Sequence, residues 1–310
     1  MPRATTPQTL DREITISGHG LHGARPSRVR LIPVTQATGL RFRHLGTGVE
    51  IPVASEFAGD IQLATTLVKD GVRLQTIEHL LSALVGLEVE HLLIEVEGEG
   101  TDIELPILDG SARPWMEAIL QAGVRGLDGK RRFVKVLRPV EVERGGKRIR
   151  VSPYDSLRVR YTIDFPLASL GRQSRELTLT PEKYRAEVGA ARTFCLEQEI
   201  DWMRANGLAL GGSLDNAVVY GADGPLNESL RFHDEAVRHK ILDLLGDLSL
   251  LGAPLLGLVE AHAAGHALHV DLVKALLADR AAWTWAELSE PALDRAKTRA
   301  LFRPALVASA

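Results

Sequence analysis

The sequence predicts an α+β protein built from two related units, and three observations lead there. Short alternating runs punctuated by Gly and Pro recur in both halves, as "REITISG" and "SRVRLIPV" in one and "KRIRVSP" and "SLRVRYTIDF" in the other. Each half then holds a segment with apolar residues at helical spacing, "TIEHLLSALVGL" and "AVRHKILDLLGD". Set over each other, "EHLLSALVG" (78–86) and "RHKILDLLG" (238–246) place His79 on His239 and Gly86 on Gly246, and each is soon followed by a strand, "LLIEVEG" or "LLGLVEA". Two amphipathic helices of one period also align by chance, so on pattern alone the duplication stays open.

Bulk properties agree with a folded chain of two domains. There are 310 residues, against a prior of roughly 150 per domain. Hydrophobic residues make up 45% and charged residues 25%, enough for a real core. With 37 Lys+Arg against 40 Asp+Glu there is no basic excess to suggest nucleic acid, so an anionic ligand must meet a local cluster of cations. The single cysteine, Cys195, excludes a disulfide framework and a cysteine zinc cage, and fits a reducing compartment. "MPRATTPQTLDREITISG" has no apolar core of signal-peptide length, and no run approaches the roughly 18 apolar residues of a membrane span. The expected location is the cytoplasm, with no transmembrane segment.

Taken in order, residues 10 to 53 read as β-rich. Next comes a helix carrying Ile77, Leu80, Leu81, Leu84 and Val85 on one face, with Thr76 as its N-cap. "HLLIEVEG" follows as a strand, "ELPILDGSARP" as a loop and "WMEAILQAG" as a helix. The polar "GLDGKRR" marks the boundary, giving units at 1–127 and 128–290 and a peripheral tail at 291–310. The second unit opens with strands in "FVKVLRPVEVE", "KRIRVSP" and "SLRVRYTIDF". A mixed region from Thr178 to Gly224 precedes the second helix, and "PLLGLVEA" and "HALHVDLVKALLAD" close the unit.

The chemistry concentrates on the two helices. His239, Asp243 and Asp247 recur at steps of four on one side, with Lys240 at the margin, while Ile241, Leu244, Leu245 and Leu248 take the other. Such a stripe reads either as a solvated face or as part of a divalent-cation site, because a His nitrogen and a carboxylate oxygen on successive turns suit Zn²⁺. A catalytic zinc needs three protein ligands, an open position and a carboxylate to move protons. His79, His239 and Asp243 would supply the ligands, and Glu78 the base. His266 follows Gly265, which would allow close backbone approach, and would act as general acid or as a cation beside an oxyanion; a turn residue is the plainer reading. The same holds for His22 in "GHGLHGA". His269 and the remaining histidines show no constellation. Thr193, Phe194 and the stretch to 224 supply apolar residues for a lipid slot or for a local core.

At these residues the chain resembles the UDP-3-O-acyl-N-acetylglucosamine deacetylase family, zinc amidases of the committing step of lipid A synthesis in Gram-negative bacteria. The resemblance runs from about residue 8 to residue 285. It rests on "GLH", "TIEHLLSAL", "ELPILDGSA", "ARTF", "GLALGGSLDNAVV", "LRFHDEAVRHKILDLLGDL" and "GHAL". It implies two related two-layer sandwiches, each like domain 2 of ribosomal protein S5, with the site between them. It also implies zinc on His79, His239 and Asp243, on N/O ligands that accept Fe²⁺ as well. Glu78 would be the general base, His266 the catalytic histidine oriented by Asp247, and Thr193 a donor to the oxyanion. Lys240 would hold the sugar-diphosphate and Asp164 and Phe165 the uridine, with His22 also against substrate. Phe194 and the 194–224 insert would border the acyl chain. The resemblance further implies a monomer. Where some members carry a Cys near the metal, this chain has Ala64. A catalytically silent paralogue binding a nucleotide-sugar or acyl ligand is the alternative, and a zinc peptidase is opposed by the lack of an HExxH helix.

Overall fold

Alternation along "PSRVRLIP" decides which face of its strand is buried. Val29 and Leu31 enter the core, while Arg28 and Arg30 stand outside and pair with Glu97 and Glu95 of the neighbouring strand. The structure, a computed structural model, describes residues 4–60 and 63–287. The tail expected at 291–310 lies outside the described residues.

Five strands of the first half are β1 (Ile14–His19), β2 (Pro26–Pro33), β3 (Leu40–His44), β4 (Glu50–Pro52) and β5 (Leu92–Gly98). They form a sheet of order β1-β2-β5-β3-β4, with β2 antiparallel and β3 parallel to β5. In the second half, β6 (Val140–Arg144), β7 (Lys147–Ser152), β8 (Leu157–Asp164), β9 (Arg172–Thr178) and β10 (Leu255–His262) pair as β6-β7-β10-β8-β9. Here β7 is antiparallel and β8 parallel to β10. Order and directions are therefore the same in both halves. Strands Arg132–Val136 and Trp283–Glu287 extend the second sheet to seven among the described residues.

The helices are α1 (Glu78–Gly86), α2 (Arg113–Ala122), α3 (Pro181–Glu187), α4 (Ile200–Ala205), α5 (Glu235–Leu248) and α6 (His266–Ala278). A parallel strand pair needs a crossover rather than a tight turn. That connection contains α1 between β3 and β5 and α5 between β8 and β10, so the two aligned helices occupy equivalent places. Helices α1 and α5 pack directly on each other. Every residue of α5 except Lys240 is buried, which removes the solvated-face reading of its polar stripe.

Gly246 permits the close crossing. A Cβ there would stand 2.2 Å from the carbonyl oxygen of Glu78, so only a hydrogen fits between the two backbones. Two local expectations are corrected. Thr76 does not cap α1; it adopts φ 55°, and its hydroxyl donates to Glu104 at 3.0 Å. Gly265 allows no close approach: its backbone is extended and no atom lies within 4 Å of a Cβ built there. No helix among the described residues is long and apolar enough to cross a membrane.

Candidate active site

The crossing of α1 on α5 brings His79, His239 and Asp243 together, all nearly fully buried. Asp243 Oδ1 lies 3.2 Å from His239 Nε2 and 3.9 Å from His79 Nε2. The two imidazoles stand edge to face, centroids 5.0 Å apart. His239 Nδ1 is 3.0 Å from the Ala191 carbonyl, an acceptor, so the ring proton sits on Nδ1 and Nε2 presents a lone pair. Burial lowers the pKa of His239 despite Asp243, and burial with the neighbouring His239 takes His79 down to about 3. Burial opposes charge on Asp243, but His239 and Lys240 hold its carboxyl well below the usual range.

A neutral imidazole lone pair therefore faces a buried carboxylate oxygen, two acceptors with no proton between them. Asp243 Oδ1 and His79 Nδ1 have no hydrogen-bond partner among the described residues. A cation resolves that conflict, and two nitrogens with one carboxylate oxygen form a borderline-hard set suited to a divalent transition metal. Asp247, His266 and His269 form a second close group. There both imidazole Nδ1 atoms already donate to Asp247 Oδ2, at 2.8 and 2.7 Å, so hydrogen bonds satisfy what a metal would.

Two titratable groups flank His79, His239 and Asp243. Glu78 begins α1, and its Oε2 accepts the Thr65 backbone N–H at 3.0 Å. Burial above all pushes its pKa up to about 8. His266 begins α6; burial works against its charge, but Asp247 and Asp243 prevail and raise its pKa to about 9. The left-handed residues Thr76 and Ala263, at φ 55° and 47°, stand shortly before Glu78 and His266. Such backbone strain concentrates where a turn must aim a functional side chain.

A cavity of about 390 Å³ opens over this group, and its wall includes His22, Ala64, Asp164, Phe165, Thr193, Phe194, Lys147 and Lys240. The Lys240 ammonium donates to Asp243 Oδ2 at 2.8 Å and so is held at that buried carboxylate. Phe165 meets Phe194 edge to face at 5.7 Å. Asp164 sits at the end of β8, 3.5 Å from Arg172. The backbone N–H of His22 donates to Glu104 at 2.9 Å, which fixes the Gly-rich turn. A second cavity of about 350 Å³ adjoins, lined by apolar side chains that include Leu63, Phe194, Ile200, Met203, Leu214 and Leu226.

The family model for UDP-3-O-acyl N-acetylglycosamine deacetylase (LpxC) matches residues 7–278. The chain belongs to this family. It is 43% identical to the UDP-3-O-acyl-N-acetylglucosamine deacetylase of Solibacter usitatus (strain Ellin6076), over 87% of this chain and 91% of that one. It is 41% identical to that of Anaeromyxobacter dehalogenans (strain 2CP-C), over 95% and 96%. A third relative, from Stenotrophomonas maltophilia (strain K279a), is 40% identical over 92% and 94%.

Sequence reasoning missed four residues around the site. Thr65 bonds both Glu78 and Asp247, but a plain "ATTL" gives no sign of it. His269 is fully buried between Asp247 and the Tyr161 hydroxyl, the latter at 2.9 Å. The i, i+3 spacing of His266 and His269 was the available signal. The Tyr161 hydroxyl also lies 2.8 Å from the Ala264 carbonyl, so its one proton is shared between that oxygen and His269 Nε2. Lys147, the first residue of β7, reaches the cavity wall at the hairpin where it pairs with Arg144.

Proposed function

We propose that the chain is a metal-dependent hydrolase that removes the N-acetyl group of UDP-3-O-(3-hydroxyacyl)-N-acetylglucosamine, releasing acetate and leaving a free amine for lipid A synthesis. The observation that carries the metal is the pair of facing acceptors, His239 Nε2 and Asp243 Oδ1 at 3.2 Å, buried with His79 beside Glu78 and His266. The fold reading that goes with it is two related two-layer sandwiches of the ribosomal protein S5 domain 2 kind, at 1–127 and 128–290, with the site between them.

His79, His239 and Asp243 would hold Zn²⁺, or Fe²⁺ on the same donors. Bound there, the ion would supply Lewis acidity to the amide carbonyl and make a water more acidic. With the site filled, Glu78 would be ionised and would take the proton of the attacking water. Charge that develops on the amide oxygen is met by Thr193 and by the His266 imidazolium. His266 also stands ready to protonate the leaving amine, its ring held by Asp247. Lys240 and Lys147 bring positive charge to the cavity for a diphosphate, and Asp164 and Phe165 offer a carboxylate and a ring to the uridine. Phe194 leads from this cavity into the apolar one, which suits an acyl chain, and His22 stands where the two meet.

The test is acetate release from this substrate by the purified protein. Chelation is expected to abolish it and Zn²⁺ to restore it. Glu78→Ala is expected to keep its metal yet lose nearly all turnover. Wild-type turnover in that variant would remove Glu78 from its role. A metal-loaded wild type that binds substrate without releasing acetate would leave the silent binding protein.

A further inference from the structure

The proton-moving residues Glu78 and His266 come from different halves of the chain, and one buried residue touches the supports of both. Thr65 is fully buried beside the strand Thr66–Lys69. Its backbone N–H donates to Glu78 Oε2 at 3.0 Å. Its hydroxyl donates to Asp247 Oδ1, and the Thr65 Oγ1 atom itself lies 3.2 Å from His266 Nδ1. We propose that Thr65 is a positioning residue that fixes Glu78 and the Asp247–His266 pair relative to each other; this rests on the functional reading above.

Asp247 is fully buried and accepts from three side chains. His266 and His269 both donate to Oδ2, at 2.8 and 2.7 Å, whereas Oδ1 takes the Thr65 hydroxyl. A carboxylate accepts only, so both imidazoles carry a proton on Nδ1. His266 therefore turns Nε2 toward the cavity. Two donors on one oxygen leave the carboxylate free to swing about that oxygen, and the Thr65 hydroxyl on the other removes the freedom. Its β-branched side chain has few rotamers, so the hydroxyl and the N–H on Glu78 keep a nearly fixed separation.

The test uses the full-length, metal-loaded protein with Thr65→Val, which deletes the hydroxyl but keeps the backbone donor, and Thr65→Ser, which restores the hydroxyl. Thr65→Val is expected to keep its metal and its KM within about twofold while kcat falls about 10–100-fold. Thr65→Ser should recover most of the loss. In proton NMR, the His266 Nδ1–H resonance should exchange faster with water in Thr65→Val and stay slow in Thr65→Ser. Should valine not fold, Thr65→Ala deletes the same hydroxyl without bulk at the branch. A kcat in the deletion variant within about threefold of wild type overturns the proposal. So does a serine variant as slow as the valine one. If the wild type releases no acetate, the functional reading falls instead. The NMR comparison then decides on Thr65 alone, an unchanged Nδ1–H refuting it.

Discussion

Gly246→Ala tests whether the proposed metal site depends on how closely α5 crosses α1. The added Cβ would lie 2.2 Å from the Glu78 carbonyl oxygen and 2.9 Å from its carbonyl carbon and Cα. Ordinary contact is roughly 3.5 Å, so the backbones must part by about 1 Å. The obstacle is backbone, with no side chain to swing aside. Overpacking of this kind costs about 1–3 kcal/mol; for a chain of 310 residues that is a fall in Tm of about 2–5 °C. The same movement carries Glu78 and His79 away from His239 and Asp243, and a 1 Å misplacement can cost about 100-fold in rate. Calorimetry, metal analysis and acetate release together make the assay. Gly86→Ala is the control, because its Cβ would meet the Tyr184 ring at 2.3 Å, away from the ligands. It should lower Tm but spare metal binding and kcat far better. A Gly246→Ala protein with full metal, unchanged Tm and wild-type kcat would refute the reasoning.

The metal should stabilise the fold as well as catalyse: loading raises Tm, and His79→Ala or Asp243→Ala should bind substoichiometric metal by elemental analysis and lose that increment. Metal-free protein should lose stability toward alkaline pH. Glu78 rises from 4.5 to about 8 through burial, and His266 from 6.5 to about 9 as Asp247 and Asp243 overcome burial. Both bind a proton more tightly folded than unfolded, so their contributions are full below the unfolded values and vanish as pH climbs through about 8 and 9. Urea unfolding over that range checks the sign, and Glu78→Gln should flatten the earlier part of the fall; a stability that rose instead would contradict it. His269→Leu removes the hydrogen bonds to Asp247 and Tyr161 and should cost about 1–3 kcal/mol, read as a lower denaturation midpoint; an unchanged midpoint would show those bonds contribute nothing.

Much of this was legible in the chain because helical and strand periodicities are local. The stripe His239, Asp243, Asp247 is visible at steps of four, and the pairing of Gly86 with Gly246 is visible by alignment. The fate of that stripe was not. An amphipathic helix looks the same whether its polar side meets water or another helix, and only the buried state of α5 separates the two. Thr65 and Tyr161 were silent because their partners lie 182 and 108 positions away. Thr76 failed as a cap because its backbone turns left-handed to satisfy Glu104, a residue with no local mark.

The sequence by itself determined many of the strands, the helices α1, α2 and α5, and the residue types able to hold a cation and move a proton. Those follow from short-range patterns and from the chemistry of each side chain. The tertiary structure alone decided that strand order and direction repeat in full. It also decided that α1 crosses α5 at a glycine, and that Asp247 serves two histidines and a threonine. Those facts depend on contacts between residues far apart in the chain, where burial leaves each polar atom to find a partner and the local sequence does not say which.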